Sequence, residues 1–396
     1  MKARKIRRIA GARRFTTAQR AAAGAVGAAG VIAALVFGAA PALAAHPQMQ
    51  PSVPMWSAQG QLSSLAEMPV ASTVPSNGDT NPYGVAVVPI SVGKLVAGDV
   101  LVANFNNSAG TAGAGTSIVE INPTTGATST FYTDTNNTLV GPVAIAINPK
   151  NGIVWVGDYG SASGGSSGNV DVIAPTGVLK ATFNSTTTAG STDSPVFSGV
   201  WGQAFGDGAF FWTNAGNGSV WQLNPLQNVS GQPLGSTYSQ LASGLAYTAG
   251  ATAATAAGPQ GLVYDAYTKT LYVTDDANNT IYAITGIGTG STTTTTLVSG
   301  GMLNSPQGIA LNPANGNLLV VNGAGNNDLL EYTTMGQLVA HRDLLPTQAP
   351  GALFGLAATT TSSGQPVIYF GNADNNMLYE LSSRMGNGMM AATHGM

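Results

Sequence analysis

One pattern governs this chain: a Gly-containing opening, an apolar run and then an Asn or Asp, recurring six times. The sharpest copies are Gly141-Pro142-Val143-Ala144-Ile145-Ala146-Ile147 leading to Asp158, Pro259-Gln260-Gly261-Leu262-Val263-Tyr264 leading to Asp275, and Pro306-Gln307-Gly308-Ile309-Ala310-Leu311 leading to Asn322. The spacing from proline to acid or amide is the same in all three. Looser copies run from Pro82-Tyr83-Gly84 to Asn104, from Trp201-Gly202-Gln203 to Asn214, and from Phe354-Gly355-Leu356 to Asn372. From Asn104 to Asn372 the markers recur about every 54 residues, close to the period at which four strands make one propeller blade.

Within each copy, short β-branched and aromatic runs alternate with Asn/Gly turns such as Asn315-Gly316, which reads as strand, turn, strand. A third strand follows each marker, as in Thr280 to Ile284 and Asp328 to Tyr332, and five copies have a fourth, as in Thr294 to Val298. The last copy lacks one, whereas Leu62 to Val70 stands alone before the first. Each blade buries its faces only against its neighbours, so an open ring would expose a sheet face and strand edges. The expectation is therefore an all-β, six-bladed propeller closed by pairing of that N-terminal strand with the last blade. A seventh blade built from the insertion Asn228 to Gly258 is the main alternative, and a two-sheet sandwich suits such regular repeats poorly. His341-Arg342-Asp343 reads as the exposed end of an outer strand.

The N-terminus differs from all of this. Lys2, Arg4, Lys5, Arg7, Arg8, Arg13, Arg14 and Arg20 precede an apolar run from Ala21 to Ala40, and Ala42 and Ala44 then fit a small-residue cleavage site. Charge, apolar stretch and A-x-A in that order make a secretory signal, and the cleavage site favours removal over membrane anchoring. The expected organisation is a signal peptide over 1–44, an N-terminal segment with the ring-closing strand over 45–80, the propeller over 81–382, and a flexible Met/Gly-rich tail over 383–396. The mature protein is expected to be secreted or periplasmic.

Once the leader is gone, only Lys94, Lys150, Lys180, Lys269, Arg342 and Arg384 remain against 17 acidic residues. That balance argues against nucleic acid, which is held by Lys and Arg neutralising phosphates, and against an anionic membrane surface. The absence of cysteine excludes disulfides, thiol catalysis and cysteine-held metals. With 8% charged residues, the surface must rest on Ser, Thr, Asn and Gly, a composition suited to an acidic exterior because few carboxylates would change protonation state. Histidine is scarce: His46, His341 and His394 cannot supply a three-histidine zinc site, and no complete catalytic constellation is present. Met385, Met389, Met390, His394 and Met396, with His46 and Met49, are Cu(I)-compatible ligand types in a spacing that matches no defined site, so the tail reads as disordered.

The Pro-x-Gly-Ile/Leu-Ala opening, the Asn-Pro-x-Asn-Gly turn and the Val-x-Asn/Asp ending resemble those of NHL-repeat propellers and, more broadly, the gluconolactonase-like six-bladed superfamily. In enzymes of that superfamily a divalent metal sits over the central channel, held by carboxylates and amides that include the middle residue of the opening. The matching residues here are Tyr83, Val143, Trp201, Gln260, Gln307 and Phe354, none of them a carboxylate. The resemblance thus implies loss of the lactonase-type site, unless Asp158 and Asp275 hold a divalent cation such as calcium; no other cofactor is expected.

The markers Asn104, Asp158, Asn214, Asp275, Asn322 and Asn372 recur in every copy, which favours turn-capping over a ligand-binding rim. The residues that vary from copy to copy, Tyr83, Trp201, Gln260, Gln307 and Phe354, are the expected ligand contacts. The leading expectation is a secreted, monomeric, non-enzymatic propeller that binds a protein, glycan or small ligand through its loop-rich face. A metal-dependent lactonase-like hydrolase or lyase, and an extracellular structural or surface-associated protein, are the alternatives.

Overall fold

The computed structural model describes residues 62–383 apart from 137, 161–167, 185–195, 225–236, 347–348 and 350. The leader, His46, Met49, Arg384 and the Met-rich tail lie outside the described residues. What is described is a six-bladed β-propeller, each blade a four-stranded antiparallel sheet. Blade 1 runs outward through Thr80–Val87, Val100–Asn106, Ser117–Ile121 and Thr128–Thr133. Blades 2 to 5 repeat that order from the innermost strands Pro142–Ile147, Val200–Gly206, Pro259–Asp265 and Pro306–Leu311. Blade 6 comprises Leu353–Thr360, Pro366–Asn372 and Met377–Ser382, and its outermost strand is Ala66–Ser72 from the N-terminal side. Innermost strands of neighbouring blades touch all the way round, blade 6 against blade 1 included.

The repeated opening makes this ring possible. In every blade the pairing of the first two strands slips at the same place, as between Pro82↔Asn104 and Val85↔Val102 or between Pro259↔Asp275 and Leu262↔Val273. The slip is a β-bulge, which tolerates a proline and bends the strand toward the axis. In five blades a glycine inside it faces the next blade's backbone, and blade 2 has Ala144 there. A Cβ on Gly355 would overlap the Tyr83 carbonyl, and one on Gly202 would overlap that of Gln260. Threonine fastens two of these junctions. Thr213 Oγ1 accepts from Gly202 N (2.7 Å) and donates to Gln260 O (2.8 Å), and Thr274 Oγ1 likewise joins Gly261 N to Gln307 O.

Apolar residues alternate onto both faces of each sheet and fill the six interfaces between blades. Between blades 2 and 3 the filling is aromatic, with Trp155, Phe183, Phe210, Trp212 and Trp221 packed together. A seventh cluster sits apart from these at one end of the channel, around Tyr83, Phe105, Tyr159 and Trp201.

Two expectations are corrected, and the seven-bladed alternative falls away. The closing strand begins at Ala66, not Leu62, because Leu62–Ser64 forms a 3₁₀ turn that drops Leu62 and Leu65, three apart, into the apolar interface of blades 5 and 6. Arg342 is no exposed strand end: its Nη1 donates to the carbonyls of Leu62 (3.1 Å) and Leu65, and its Nη2 pairs with Glu67 Oε2 at 3.3 Å, both side chains about one-fifth exposed. The insertion before blade 4 makes no seventh sheet among the described residues. Thr237–Ala242 completes blade 3, and the chain from 243 to 258 continues as a loop.

Candidate functional site

The six bulges aim their middle residues at one end of the channel, where they divide into an aromatic and a polar half. On the aromatic side Tyr83 is sandwiched between Phe354 (3.8 Å between ring centroids) and Phe105 (4.1 Å). Trp201 leans on Tyr83 at 6.0 Å, and Tyr159 meets Trp201 edge-on at 5.9 Å. Val143 joins them. Burial pushes the Tyr83 hydroxyl above its ordinary range and the negative charge of Asp276 adds to the push, against a hydrogen bond with Asn81.

A loop over 246–258 lies across this plug as a strap. It is closed by Thr248 N donating to Ala257 O (2.8 Å), and it packs Ala253 and Ala256 against the aromatic rings. Tyr159 Oη donates to Ala251 O at 3.2 Å, and Ala253 fits beside Gly113, where any side chain would collide with it. Tyr83 and Trp201 are each 7% exposed as a result. Below the plug the channel leaves a cavity of about 80 Å³, lined by the bulge glycines and sized for a few waters.

The polar half belongs to blades 4 and 5. Asp276 Oδ1 accepts from Gly258 N (2.7 Å) at the end of the strap, and its Oδ2 accepts from Gln307 Nε2 (3.1 Å) and Ser305 Oγ (3.3 Å). Gln260 stands close enough to lower this carboxylate's pKa, and its Nε2 donates to Ala256 O of the strap at 3.4 Å. Both glutamines are more than nine-tenths buried, yet Gln260 Oε1 and Gln307 Oε1 accept no hydrogen bond. Burial pushes Asp276 up to about 6, opposed by its donors, and among the described residues no basic side chain pairs with it.

The structure thus brings Tyr83, Trp201, Gln260, Gln307 and Phe354 together, but as a covered floor rather than an open rim. It separates Asp158 from Asp275, which stand in blades 2 and 4. Asp158 is buried and accepts from Val140 N (3.2 Å) and Asn169 N (3.3 Å); burial, with the charge of Asp171, drives it well above the usual carboxylate range. Asp275 accepts from Ala277 N (3.0 Å), and burial pushes it up to about 7, with Asp276 adding to the rise.

The amide markers serve similarly. Asn214 Nδ2 donates to Val196 O (2.9 Å) and Asn322 Nδ2 to Met302 O (2.8 Å), each tying the loop that enters its own blade. Among the described residues no three His, Asp or Glu side chains stand close enough to hold one metal ion. Sequence reasoning favoured Asp275 over its neighbour. The doublet Asp275-Asp276 was the available signal, but only the register shows that the marker turns into the blade while Asp276 reaches the mouth.

No family model matches the sequence, and neither does any curated protein. Solved structures do. A structural-genomics protein of unknown function from Bacteroides thetaiotaomicron VPI-5482 is 12% identical, with 80% of this chain and 76% of that one covered at a TM-score of 0.51. The calcium-binding protein regucalcin from Agrobacterium tumefaciens is 14% identical over 79% of this chain and 93% of its own (TM-score 0.49). The PQQ-bound aldose sugar dehydrogenase from Streptomyces coelicolor is 16% identical over 80% and 98% (TM-score 0.47). At these identities the likeness is one of architecture, and the architecture of this chain is a six-bladed β-propeller.

Proposed function

We propose that this chain is an exported, non-enzymatic propeller that binds a small ligand at the strapped mouth of its channel, with Tyr83, Trp201, Gln260, Gln307 and Phe354 as the central contacts. The observation that carries this reading is the pair of buried, unsatisfied amide carbonyls beside an aromatic floor. A buried acceptor without a donor costs about 1–3 kcal/mol, and a ligand that supplies the donor recovers it. The middle of the strap rests on alanine methyls and on two hydrogen bonds of 3.2 and 3.4 Å, while the short bond from Gly258 N to Asp276 anchors its end, so the middle can lift about that anchor. Export is supported by the charge, apolar run and A-x-A site of residues 1–44. The hydrolase alternative draws no support from Asp158 and Asp275, whose carboxylates serve the backbone of their own loops.

The test is a screen of small amines, sugars and short peptides by tryptophan emission, followed by calorimetry on Trp201→Phe and Gln307→Leu. Both variants keep the fold, and a ligand of the mouth loses about tenfold in affinity, or 1.4 kcal/mol, in at least one. Unchanged affinity in both would place the binding surface elsewhere.

A further inference from the structure

The polar half of the mouth has an excess of one kind of group. Gln260 Oε1 and Gln307 Oε1 are acceptors without donors, and they flank one carboxylate, Asp276, to which the Gln307 amide nitrogen donates. Among the described residues no Lys, Arg or His pairs with that carboxylate. The two carbonyls therefore lack donors, and the carboxylate between them lacks a positive charge. A single half-buried carboxylate in such surroundings calls for a partner of opposite sign, because an unpaired ion away from water is costly. Next to it stands the Tyr83–Phe354 stack, within electrostatic reach of Asp276 through Tyr83.

We propose that this half of the mouth binds a small primary alkylammonium, whose three N–H donors meet Gln260 Oε1, Gln307 Oε1 and Asp276 while its hydrocarbon stem lies on the aromatic floor. This rests on the reading of the mouth as the ligand surface and narrows it to a chemical class. The donor count discriminates among cations: a quaternary ammonium would satisfy the rings but leave both amide carbonyls unpaired. A hard divalent ion favours several anionic oxygens, and the array has one carboxylate. A neutral alcohol can donate to one carbonyl but leaves the charge of Asp276 unmatched. Entry requires release of the 3.4 Å bond from Gln260 Nε2 to Ala256 O, the longest of the contacts that hold the strap.

The experiment titrates the folded protein by calorimetry with n-butylammonium chloride, n-butanol and calcium chloride while following tryptophan emission. Butylammonium is expected to bind at least tenfold more tightly than butanol and to change an emission signal that Trp201→Phe removes. Asp276→Asn should weaken butylammonium at least tenfold and leave butanol unaffected. The double variant Gln260→Leu/Gln307→Leu, with unchanged thermal unfolding, should lose the preference for the amine. Equal affinity for amine and alcohol, or indifference to Asp276→Asn, overturns the ligand class while the mouth stands as the binding surface. Calcium that binds in an Asp276-dependent way and excludes the amine overturns it in favour of a metal. If neither butylammonium nor butanol produces heat or an emission change, this inference fails and the screen above decides the mouth reading alone.

Discussion

The two halves of the channel mouth share one backbone geometry and differ in what they do with it. Blades 1, 3 and 6 place Tyr83, Trp201 and Phe354 in the bulge, and these rings satisfy one another. Blades 4 and 5 place Gln260 and Gln307 at the equivalent positions, and their carbonyls are left wanting. An aromatic ring needs only close neighbours, whereas an amide needs partners of defined direction, so packing alone can finish one half and not the other. The aromatic half is thus a structural plug, and the polar half is where the fold leaves chemistry unanswered.

The largest test of that division is Tyr83→Ala, which removes the ring between Phe354 and Phe105 and should cost about 3–5 kcal/mol in urea unfolding. Gln260→Leu/Gln307→Leu should stay within about 1 kcal/mol of wild type, since deleting an unsatisfied acceptor offsets a lost donor. Comparable losses in the two would erase the distinction.

The next test is pH. Asp171 is 0% exposed at the interface of blades 1 and 2. It accepts from Thr182 Oγ1 and faces Asp134, and burial pushes it up to about 6 with Asp134 adding to the rise. A carboxyl raised on folding takes up protons as the chain folds, so its contribution is complete below the unfolded value near 4 and is lost as pH climbs through about 6. Stability should therefore be about 2–3 kcal/mol greater at pH 4.5 than at pH 8 from this group. Asp171→Asn should flatten that dependence, while Asp276→Asn in the more open mouth should alter it less. Asp134 has the opposite sign: burial raises it, but hydrogen bonds from Asn136 N, Thr138 N, Tyr132 Oη and Leu139 N outweigh that, and its contribution disappears only in stronger acid. A stability maximum near neutrality would contradict this account.

A smaller effect concerns the strap. Ala253→Asp puts an unpaired charge among the aromatic rings and should free 248–257 at a local cost of about 1–3 kcal/mol. Hydrogen exchange should quicken in that loop and not in the blades. Smallest of all, Asp276→Asn should change overall stability by less than about 1 kcal/mol, which calorimetric unfolding can bound.

Most of the architecture could be read from the sequence because a propeller writes its structure periodically. The bulge, the turn and the marker each recur, and the third strand Asp328–Tyr332 falls where expected, with its neighbours within a residue or two. What escaped was aperiodic. Leu62 and Leu65 follow helical spacing inside a region read as a strand, and their partner Arg342 lies 277 residues or more away. The strap is a run of Ala, Gly and Thr without pattern, fixed by Tyr159, Phe105 and Gly113 from other blades. At the mouth the contributing residues could be named from their variation, but their burial depended on that strap. Asp276 was hidden because neighbouring residues on one strand end face opposite ways, and only the pairing of Asp275 with Pro259 fixes which is which.

The outermost strand of blade 6 carries a consequence for how the molecule is made. Thr73 N and Oγ1 both donate to Asn376 O, from a position 303 residues earlier in the chain. A polypeptide delivered from its N-terminus must keep that first strand unmated until nearly the last one has emerged, and contacts of such sequence separation form slowly. During synthesis this clasp delays completion of the ring until the propeller is almost fully made, so the same few hydrogen bonds that lock the circle also set the moment at which it can be locked.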